Sequence, residues 1–499
     1  MLTIMKKLNI LLGSLILLAS ATSCNDFLNL TPRDQKVVST VEDYRDIMAS
    51  FMYYMKTPEV PQQVTVFGID NYTVPFHSDI HNNLAIYTGE TNINTNSSVY
   101  YNKQSGDYTQ TGRSMLTWTM TNADAWSRYY GFLGPINLII SDIATAEGDE
   151  QLRNYVKGEA LVWRAYTFYK LLQFYAPYDK DEYGVPVYLT PQLEIGTTMP
   201  ARESQRAVFA QIFADLQEAL DLLTVTQTNE WNLIYRKDFI NAMLASVYTW
   251  KAMSGAADPT DWSKAEACAT EAMKGRTLSN SPALLKQIFN CSTSEYTRHL
   301  DDDEFFTRWV DGEWTDVCDL YEAYVDGNTS DGVMPASYQQ LFQGSDIRST
   351  AWVQGNAFNK YSMRGEIGRS RGCLMPFRLA EMYLIKAEAL YRQGRESEAA
   401  GVLTQFCTAR YTALPSIPSS GDELLQAILR ERDIEFYQEA DFRWLDMKRL
   451  NLKLDRTIAG QKYTLEPGDF RYAFPIPARE MQLNKNIVQN PGWESIIIY

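Results

Sequence analysis

The fold is decided at residues 378–394, which read RLAEMYLIKAEALYRQG. Apolar residues recur there every three or four positions, which predicts a helix with one buried stripe. The stripe consists of Leu379, Met382, Tyr383, Ala387, Leu390 and Tyr391. Gly394 then ends the helix, and Ala399 and Phe406 lie at the spacing of a second helix. Small alanines let two helices approach closely, so the pattern is typical of a tetratricopeptide helix pair.

Looser copies of this pattern occur upstream. One copy, interrupted at residues 254–262, contains Ala245, Tyr248, Ala265 and Ala272, and another contains Ala160, Tyr166 and Tyr169. Helical periodicity covers residues 122–275 and 376–450, with Ser204 as an N-cap and a last long helix from Gly421 to Leu450. We therefore predict an all-α protein with a tetratricopeptide-like helix-pair scaffold. Two-helix packing in other all-α proteins produces similar repeats, so that alternative stays open.

Two long segments interrupt the helical pattern. Residues 57–120 are rich in Asn, Thr, Ser, Gly and Tyr, and residues 280–372 are rich in aromatic and acidic residues. Neither segment shows clear helical periodicity. Long irregular loops inside a folded domain usually carry function. We therefore predict that these two insertions form the ligand-binding face.

The N-terminal residues indicate the compartment. Lys6 and Lys7 precede residues 8–19, an apolar stretch that is too short to span a membrane. Ala21-Thr22-Ser23-Cys24 follows, and small residues before a cysteine at this distance are typical of a bacterial lipoprotein signal. An ordinary secretory cleavage site beside a chance cysteine is the alternative. We expect a protein that is anchored to a membrane by lipid and whose body is exposed to water.

This interpretation divides the chain into three parts. Residues 1–23 are expected to be a signal peptide that is removed, and residues 24–40 a tether that carries lipid on Cys24. Residues 41–499 are expected to fold as one domain, which contains both the helix pairs and the irregular insertions.

Charge and composition narrow the class of ligand. The chain has 499 residues, a formal net charge of −15 and a pI of about 4.9. Nucleic acid is not an expected partner, because binding it requires a basic surface that releases counterions. Aromatic residues make up 13% of the chain, including 31 Tyr and 11 Trp. Such rings suit sugars, because they cover the apolar C–H face of a sugar ring while polar side chains bond its hydroxyl rim.

Candidate ligand-binding residues come from the two irregular segments, where aromatic side chains alternate with polar ones. They are Tyr72, Asp79, Tyr100, Tyr101, Trp309, Trp314, Tyr321 and Trp352. Burial within its own loop is the competing explanation for each ring, since Trp and Tyr are largely buried on average. Trp118, Trp126 and Trp163 lie in or beside helical patterns and are predicted to be core residues.

Three common catalytic or nucleotide-binding motifs are absent from the sequence. It contains no H-E-x-x-H, Walker-A or G-x-G-x-x-G pattern. His77 and His81 lie four residues apart but in a predicted loop, and the acidic run 301–304 is more typical of solvated surface than of a calcium site. We therefore expect no enzymatic activity, no metal and no cofactor, with a structural calcium ion as the alternative. The five cysteines after Cys24 contain no C-x-x-C, and most are predicted to be small buried hydrophobes.

A run of charged residues marks the last predicted helix. Its members step by three or four positions and would line one helical face: Glu431, Glu435, Glu439, Arg443, Asp446 and Arg449. A solvated face is the ordinary interpretation of such a run. The glutamates repel one another, however, unless outside cations such as Arg378 or Arg164 join them. We predict a partly buried structural network that docks this helix on the repeats and has no catalytic role.

The order of these features resembles the RagB/SusD family of outer-membrane nutrient-binding lipoproteins. The motifs that carry the resemblance are Cys24-Asn25-Asp26-Phe27-Leu28, Trp126-x-x-x-Tyr130, Gly158-Glu159-Ala160-x-x-x-Arg164-Ala165-Tyr166, Gly184-Val185-Pro186, Asp346-Ile347-Arg348, the stretch at 378–389, Glu431-Arg432-x-x-Glu435-Phe436 and Pro475-Ile476-Pro477. Each motif alone is weak, but they occur in the family's order over nearly the whole chain.

The resemblance implies a function. Members of this family form a lid on a SusC-like TonB-dependent transporter, bind an oligosaccharide and deliver it unchanged. It also implies two alternatives, a peptide or glycopeptide ligand and a mainly structural lid. The ligand loops vary widely between members, so no individual binding residue is transferred from the family to this chain.

Overall fold

The computed structural model describes residues 38–56, 84, 87–90, 117–119, 123–191, 199–223, 235–289, 309–310, 334–342, 344–355, 357–358, 360, 373–374, 377–439, 441–458 and 460–495. These residues form fourteen α-helices and three small antiparallel ladders. None of the helices in these ranges is long and apolar enough to cross a membrane.

The first half of the described chain contains seven helices. They are α1 (Val41–Lys56), α2 (Ala123–Asp142), α3 (Glu150–Tyr175), α4 (Gln205–Leu222), α5 (Lys237–Lys251), α6 (Asp261–Ala272) and α7 (Pro282–Phe289). The second half contains α8 (Ala336–Gln339), α9 (Ile347–Trp352), α10 (Leu379–Arg392), α11 (Glu396–Arg410), α12 (Gly421–Glu435), α13 (Phe442–Arg449) and α14 (Ala478–Leu483).

The helices pack as sequential pairs. α3 packs on α4, α5 on α6 and α10 on α11, while α6 and α12 both contact α10. The pair α10–α11 therefore follows α5–α6 directly in space, although residues 273–378 separate the two pairs along the chain. This stacking confirms the predicted all-α, tetratricopeptide-like scaffold. Gly394, in the left-handed region at φ 75°, ends α10 as predicted.

The strands of the described residues are short and form two-stranded ladders. β1 (Trp309–Val310) pairs with β4 (Cys373–Leu374), and β2 (Val353–Gln354) pairs with β3 (Ala357–Phe358). β5 (Leu454–Ile458) and β6 (Gln461–Leu465) form a hairpin in which Asp455 lies opposite Thr464.

Two apolar clusters contribute most of the core of the described residues. The larger cluster collects the buried faces of α2 to α6, and the smaller one those of α10, α11 and α12. Trp118, Trp126 and Trp163 are buried in the larger cluster, as predicted. Cys407 is buried in the smaller cluster and Cys268 is half-buried, which agrees with a packing role for both.

Ser204 is the predicted N-cap, and the structure confirms it. Its Oγ accepts a hydrogen bond from Ala207 N at 3.1 Å, in the first turn of α4. We expect Ser204→Ala to lower the free energy of unfolding by about 1 kcal/mol, because one amide donor of the first turn loses its partner. Ser204→Asp should keep the wild-type value in urea denaturation, since its carboxylate accepts the same bond. Equal loss in both variants would contradict a capping role.

The predicted helix from Gly421 to Leu450 is wrong in its continuity. α12 ends at Glu435, and α13 begins at Phe442 after a turn in which Gln438 has φ 55°. A left-handed residue cannot continue a right-handed helix. The charged residues of 431–449 therefore belong to two helices with different surroundings. We call residues 436–439 and 441 the connecting turn.

Candidate functional site

The connecting turn is where both irregular segments are anchored to the scaffold. From the scaffold side, Lys170 on α3 donates to Asp441 at 2.7 Å. Phe436 at the start of the turn stacks on Phe442 of α13, with ring centroids 4.2 Å apart. The turn is thus held on one side by helices that belong to the repeats.

The first irregular segment docks on this turn through Glu90. The Tyr437 hydroxyl donates to the backbone oxygen of Glu90 at 2.7 Å, and Gln438 N donates to Glu90 Oε1 at 2.8 Å. Thr88 Oγ1 donates to the other carboxylate oxygen at 2.8 Å. Burial raises the pKa of Glu90 to about 7, although the bonds from Gln438 and Thr88 act in the opposite direction.

A cluster of aromatic rings supports the same segment. The centroid of the Tyr87 ring lies 5.3 Å from the ring centroid of Trp444 and 6.3 Å from that of Phe474. Trp118 Nε1 donates to Tyr87 O at 3.0 Å, and the Arg456 guanidinium lies 4.3 Å from the Trp118 ring centroid. Residues 87–90 and 117–119 therefore meet on the face of the scaffold formed by α13 and the C-terminal tail.

The second irregular segment reaches the other side of the turn. The Tyr437 ring packs against Tyr338, Phe342 and Phe358, with centroids 4.2, 5.8 and 4.7 Å away. Lys360 Nζ donates to the Glu439 carboxylate, and to Glu435 O at 2.7 Å. One turn of the scaffold therefore joins described residues of both predicted ligand-bearing insertions.

The structure contradicts the prediction that Trp352 is a ligand-binding residue. It was expected to offer its ring to a ligand, but the side chain is fully buried. Lys360 Nζ lies 4.0 Å from the indole centroid, and the Phe358 ring lies 6.3 Å away. The indole packs here because α9 carries it under the β2–β3 ladder, so a ligand does not reach it in this structure.

The other predicted residues are placed only in part. Trp309 lies in β1 opposite Leu374, and β1 lies beside α1. Tyr72, Asp79, Tyr100, Tyr101, Trp314, Tyr321 and the lipidation residue Cys24 lie outside the described residues, so they remain predictions. His77, His81 and the acidic run 301–304 lie outside them as well.

An ionic cluster lies beneath the connecting turn. It contains four carboxylates and four cations, all of them buried: Asp346, Glu431, Glu435, Glu439, Arg348, Lys360, Arg378 and Arg410. Glu435 is its centre, because Arg410 Nε, Arg378 Nη1 and Arg348 Nη1 lie 2.9, 3.0 and 3.2 Å from its carboxylate oxygens. The prediction of a buried network is therefore confirmed for Glu431, Glu435 and Glu439, whereas Arg443, Asp446 and Arg449 lie on α13 with other partners.

The cations that come from outside this helix also differ from those predicted. Arg378 joins the glutamates, but Arg164 does not; its guanidinium pairs with Asp215 of α4 at 2.6 Å. Burial alone would raise the pKa of Glu435, but the guanidiniums of Arg410, Arg378 and Arg348 outweigh it and hold the pKa well below its usual range. A carboxylate so neutralised acts as a structural bridge between helices.

A small polar cavity lies among α3, α5, α10, α12 and α13. It has a volume of about 40 Å³ and is bordered by Lys170, Glu381, Arg432, Asp441 and Arg449, among others. Ligand pockets typically enclose ~300–1,000 Å³, so this space does not fit an oligosaccharide. Within the described ranges no group of three His, Cys, Asp or Glu side chains is arranged to hold a metal ion.

Glu90 and Gln438 are residues of this site that no sequence pattern indicated. Glu90 lies in an irregular stretch with no recognised motif, and Gln438 lies inside what looks like one continuous helix. The bond between them joins residues 348 positions apart. No local pattern carries that information.

Comparison with known proteins identifies relatives along most of the chain. Residues 292–493 match the model of the SusD family, and residues 27–249 match a model described as starch-binding and associating with the outer membrane. SusD-like protein P2 of Formosa agariphila is 26% identical over 426 residues, which cover 74% of this chain and 80% of that protein. The starch-binding protein SusD of Bacteroides thetaiotaomicron is 28% identical over 123 residues, 24% of this chain and 21% of that protein.

Solved structures share the fold. A SusD superfamily protein from Bacteroides vulgatus superposes with a TM-score of 0.68 at 19% identity, covering 91% of this chain and 99% of its own. A SusD-like carbohydrate binding protein from the same species gives a TM-score of 0.64 at 20% identity, covering 90% and 97%. At these identities the likeness concerns the arrangement of helices.

Proposed function

Because this chain belongs to the SusD/RagB family, we propose that it is a glycan-binding lipoprotein of the outer membrane. It captures an oligosaccharide at the cell surface and passes it to a partner TonB-dependent transporter without chemical change. Cys24 carries the lipid that anchors it. The observation that carries this proposal is the convergence of both aromatic-rich insertions on the connecting turn, at Glu90 and at Tyr338 and Lys360.

The proposed binding mode follows from the residue types in those insertions. Trp309, Trp314 and Tyr321 stack on sugar faces, while neighbouring polar side chains bond hydroxyl groups. Each stacked ring contributes a modest free energy, so several are needed. We expect micromolar affinity, about −8 kcal/mol, and a preference for oligosaccharides over single sugars.

Delivery to a transporter is proposed from the family membership. The matched models and relatives include proteins described as starch-binding and associated with the outer membrane.

The ionic cluster bears on whether the protein acts on its ligand chemically. Its carboxylates are paired with guanidinium and ammonium groups, which leaves them as structural rather than catalytic groups. These features favour binding over hydrolysis.

The function is tested by calorimetry with neutral, host-type and acidic oligosaccharides and with casein-type peptides. We expect heat with a subset of the glycans, and an approximately tenfold weaker affinity in Trp309→Ala and in Trp314→Ala, because each variant loses one stacking surface. Trp262→Ala is the matched control, since this half-buried tryptophan lies on scaffold helix α6 with Arg392 over its ring at 5.7 Å.

The alternatives give different results in the same experiment. Heat with peptides and none with glycans would indicate a peptide or glycopeptide ligand. Binding to no ligand, with retained contact to the transporter, would indicate a structural lid. Reducing sugar that accumulates over time would establish an enzyme and overturn the proposal.

A further inference from the structure

The Glu90 carboxyl is buried in the joint between the first insertion and the connecting turn. Its side chain is almost inaccessible, with a relative exposure of 2% for the residue. The described donors to its two oxygens, Gln438 N and Thr88 Oγ1, are both neutral. The joint is therefore built from a carboxyl, a backbone amide and a hydroxyl, without a cation bonded to the carboxyl among the described residues.

The charged and titratable groups that face Glu90 come from α8, α12 and α13. Asp433 and Arg443 form an ion pair with each other at 3.1 Å, and Tyr338 donates to Asp433 at 3.3 Å. Asp433 disfavours a negative charge on Glu90 and Arg443 favours one. Since Arg443 is already paired with Asp433, the ionised Glu90 is left poorly neutralised in a buried position.

We propose that Glu90 is a positioning residue for the ligand-binding face: its carboxyl latches the first insertion to the turn that also holds the second, and the latch is tighter when the carboxyl is protonated than when it is ionised. The role in ligand binding rests on the function proposed above. The ligand in question is the oligosaccharide of that proposed function.

The direction of the pH effect follows from linkage. In the docked joint the pKa of Glu90 is about 7, against an ordinary value of 4.5 once the side chain reaches water. The docked form therefore binds the proton more tightly, so docking is strongest below about pH 4.5 and weakens as the pH rises through 7. Between these values the docking equilibrium falls by up to tenfold per pH unit, and above pH 7 it levels off.

Hydrogen exchange measured by mass spectrometry tests the latch without any ligand. The probe is the mature chain at pH 5, 6, 7 and 8, with rates corrected for intrinsic exchange. We expect protection of peptides covering residues 87–90 to fall about fortyfold from pH 5 to pH 7, and then to level off. In Glu90→Gln the protection should stay constant, because the amide keeps the shape and cannot ionise.

A matched control is Glu381→Gln. Glu381 is also buried and its pKa is also raised to about 7 by burial, but it lies on α10 inside the scaffold. This variant should keep the wild-type pH dependence at residues 87–90. The proposal is overturned if the wild type shows no pH dependence there, if Glu90→Gln follows the wild type, or if Glu381→Gln removes the dependence.

A second variant keeps the test decisive if Glu90→Gln fails to fold. Thr88→Val removes a hydroxyl that stabilises the ionised carboxylate, so the window of falling protection should move to higher pH. An unchanged window in Thr88→Val would contradict the proposed joint.

Glycan affinity measured over the same pH range separates the latch from the proposed function. Affinity should fall in parallel with protection in the wild type and stay constant in Glu90→Gln. Constant affinity with falling protection overturns the positioning role. Absence of glycan binding at every pH overturns the proposed function, whereas the exchange result alone decides whether the latch exists.

Discussion

Glu435→Gln is expected to lower the free energy of unfolding by about 3–5 kcal/mol. The substitution keeps the size of the side chain and removes only its charge. The four carboxylates and four cations of the ionic cluster balance in the wild type, so the variant buries one uncompensated positive charge among Arg348, Arg378 and Arg410. Urea denaturation at pH 7 measures the loss.

The pH dependence of this loss has a definite sign. The pKa of Glu435 is held well below its ordinary 4.5 in the folded protein, so its contribution to stability is fully present above about pH 4.5 and decreases as the pH falls below that value. The difference between wild type and Glu435→Gln should therefore be largest near neutral pH and shrink in acid.

Glu398→Gln is the control for this prediction. Glu398 pairs with Arg395 at 2.6 Å on the exposed surface of α11, where water screens both charges. We expect no measurable shift of its denaturation midpoint. Similar behaviour of the two variants would show that the buried cluster is no more important than a surface ion pair.

Gly158→Ala is the second substitution with a large expected effect. A β-carbon at this position of α3 would lie 2.1 Å from Cζ of Tyr235, a contact that real structures do not show. Tyr235 is buried and donates to Ala219 O of α4 at 2.9 Å, so the ring cannot move without losing packing and a hydrogen bond. We expect a loss of about 3 kcal/mol in the free energy of unfolding.

Gly401→Ala provides a control of opposite sign. Gly401 lies in helix α11, and a β-carbon there would meet no atom within 4 Å. Alanine is the better helix former by about 1 kcal/mol, so this variant should be slightly more stable than the wild type. A loss in both variants would point to the helix backbone rather than to the contact with Tyr235.

The Tyr235 contact can also be isolated with a double-mutant cycle. In a Tyr235→Leu background the ring is absent, so Gly158→Ala should cause little further loss. Equal effects of Gly158→Ala in both backgrounds would contradict the steric explanation.

The ionic cluster and the glycine contact explain how the repeats are held in register. Glu435 of α12 bridges Arg348 of α9, Arg378 before α10 and Arg410 at the end of α11. Glycine at position 158 lets the Tyr235 ring fill the space between α3 and α4. One device is electrostatic and joins four helices or their ends, and the other is steric and acts between the consecutive helices α3 and α4.

The scaffold was predictable because its signals are local. Apolar residues at three- and four-residue spacing gave α10 and its buried stripe, Gly394 marked its end, and Ser204 marked the start of α4. The buried character of the charges near residue 435 was also predictable, since neighbouring glutamates on one helix require cations from outside.

The break between α12 and α13 was not predictable from such signals. The sequence around Gln438 has no glycine or proline, and its charges continue at helical spacing. The turn exists because Tyr437 and Gln438 bond Glu90, and because Lys360 and Arg378 draw Glu439 into the cluster. These partners come from 61 to 348 residues away along the chain.

The burial of Trp352 was likewise not predictable from local sequence signals. Its polar sequence neighbours suggested an exposed ring, but α9 and β2 turn it towards Phe358 and Lys360. The face of a residue in a six-residue helix depends on what that helix packs against.

By itself, the amino-acid sequence determined the helix pairs, their ends and caps, and the family, because these depend on residues within one or two helical turns of each other and on motifs in a fixed order. Only the tertiary structure decided which cations neutralise Glu435, where the last helix breaks, and that one turn joins both insertions. Those outcomes depend on side chains that folding brings together from distant parts of the chain. The energy of these pairings cannot be inferred from the spacing of residues along the sequence.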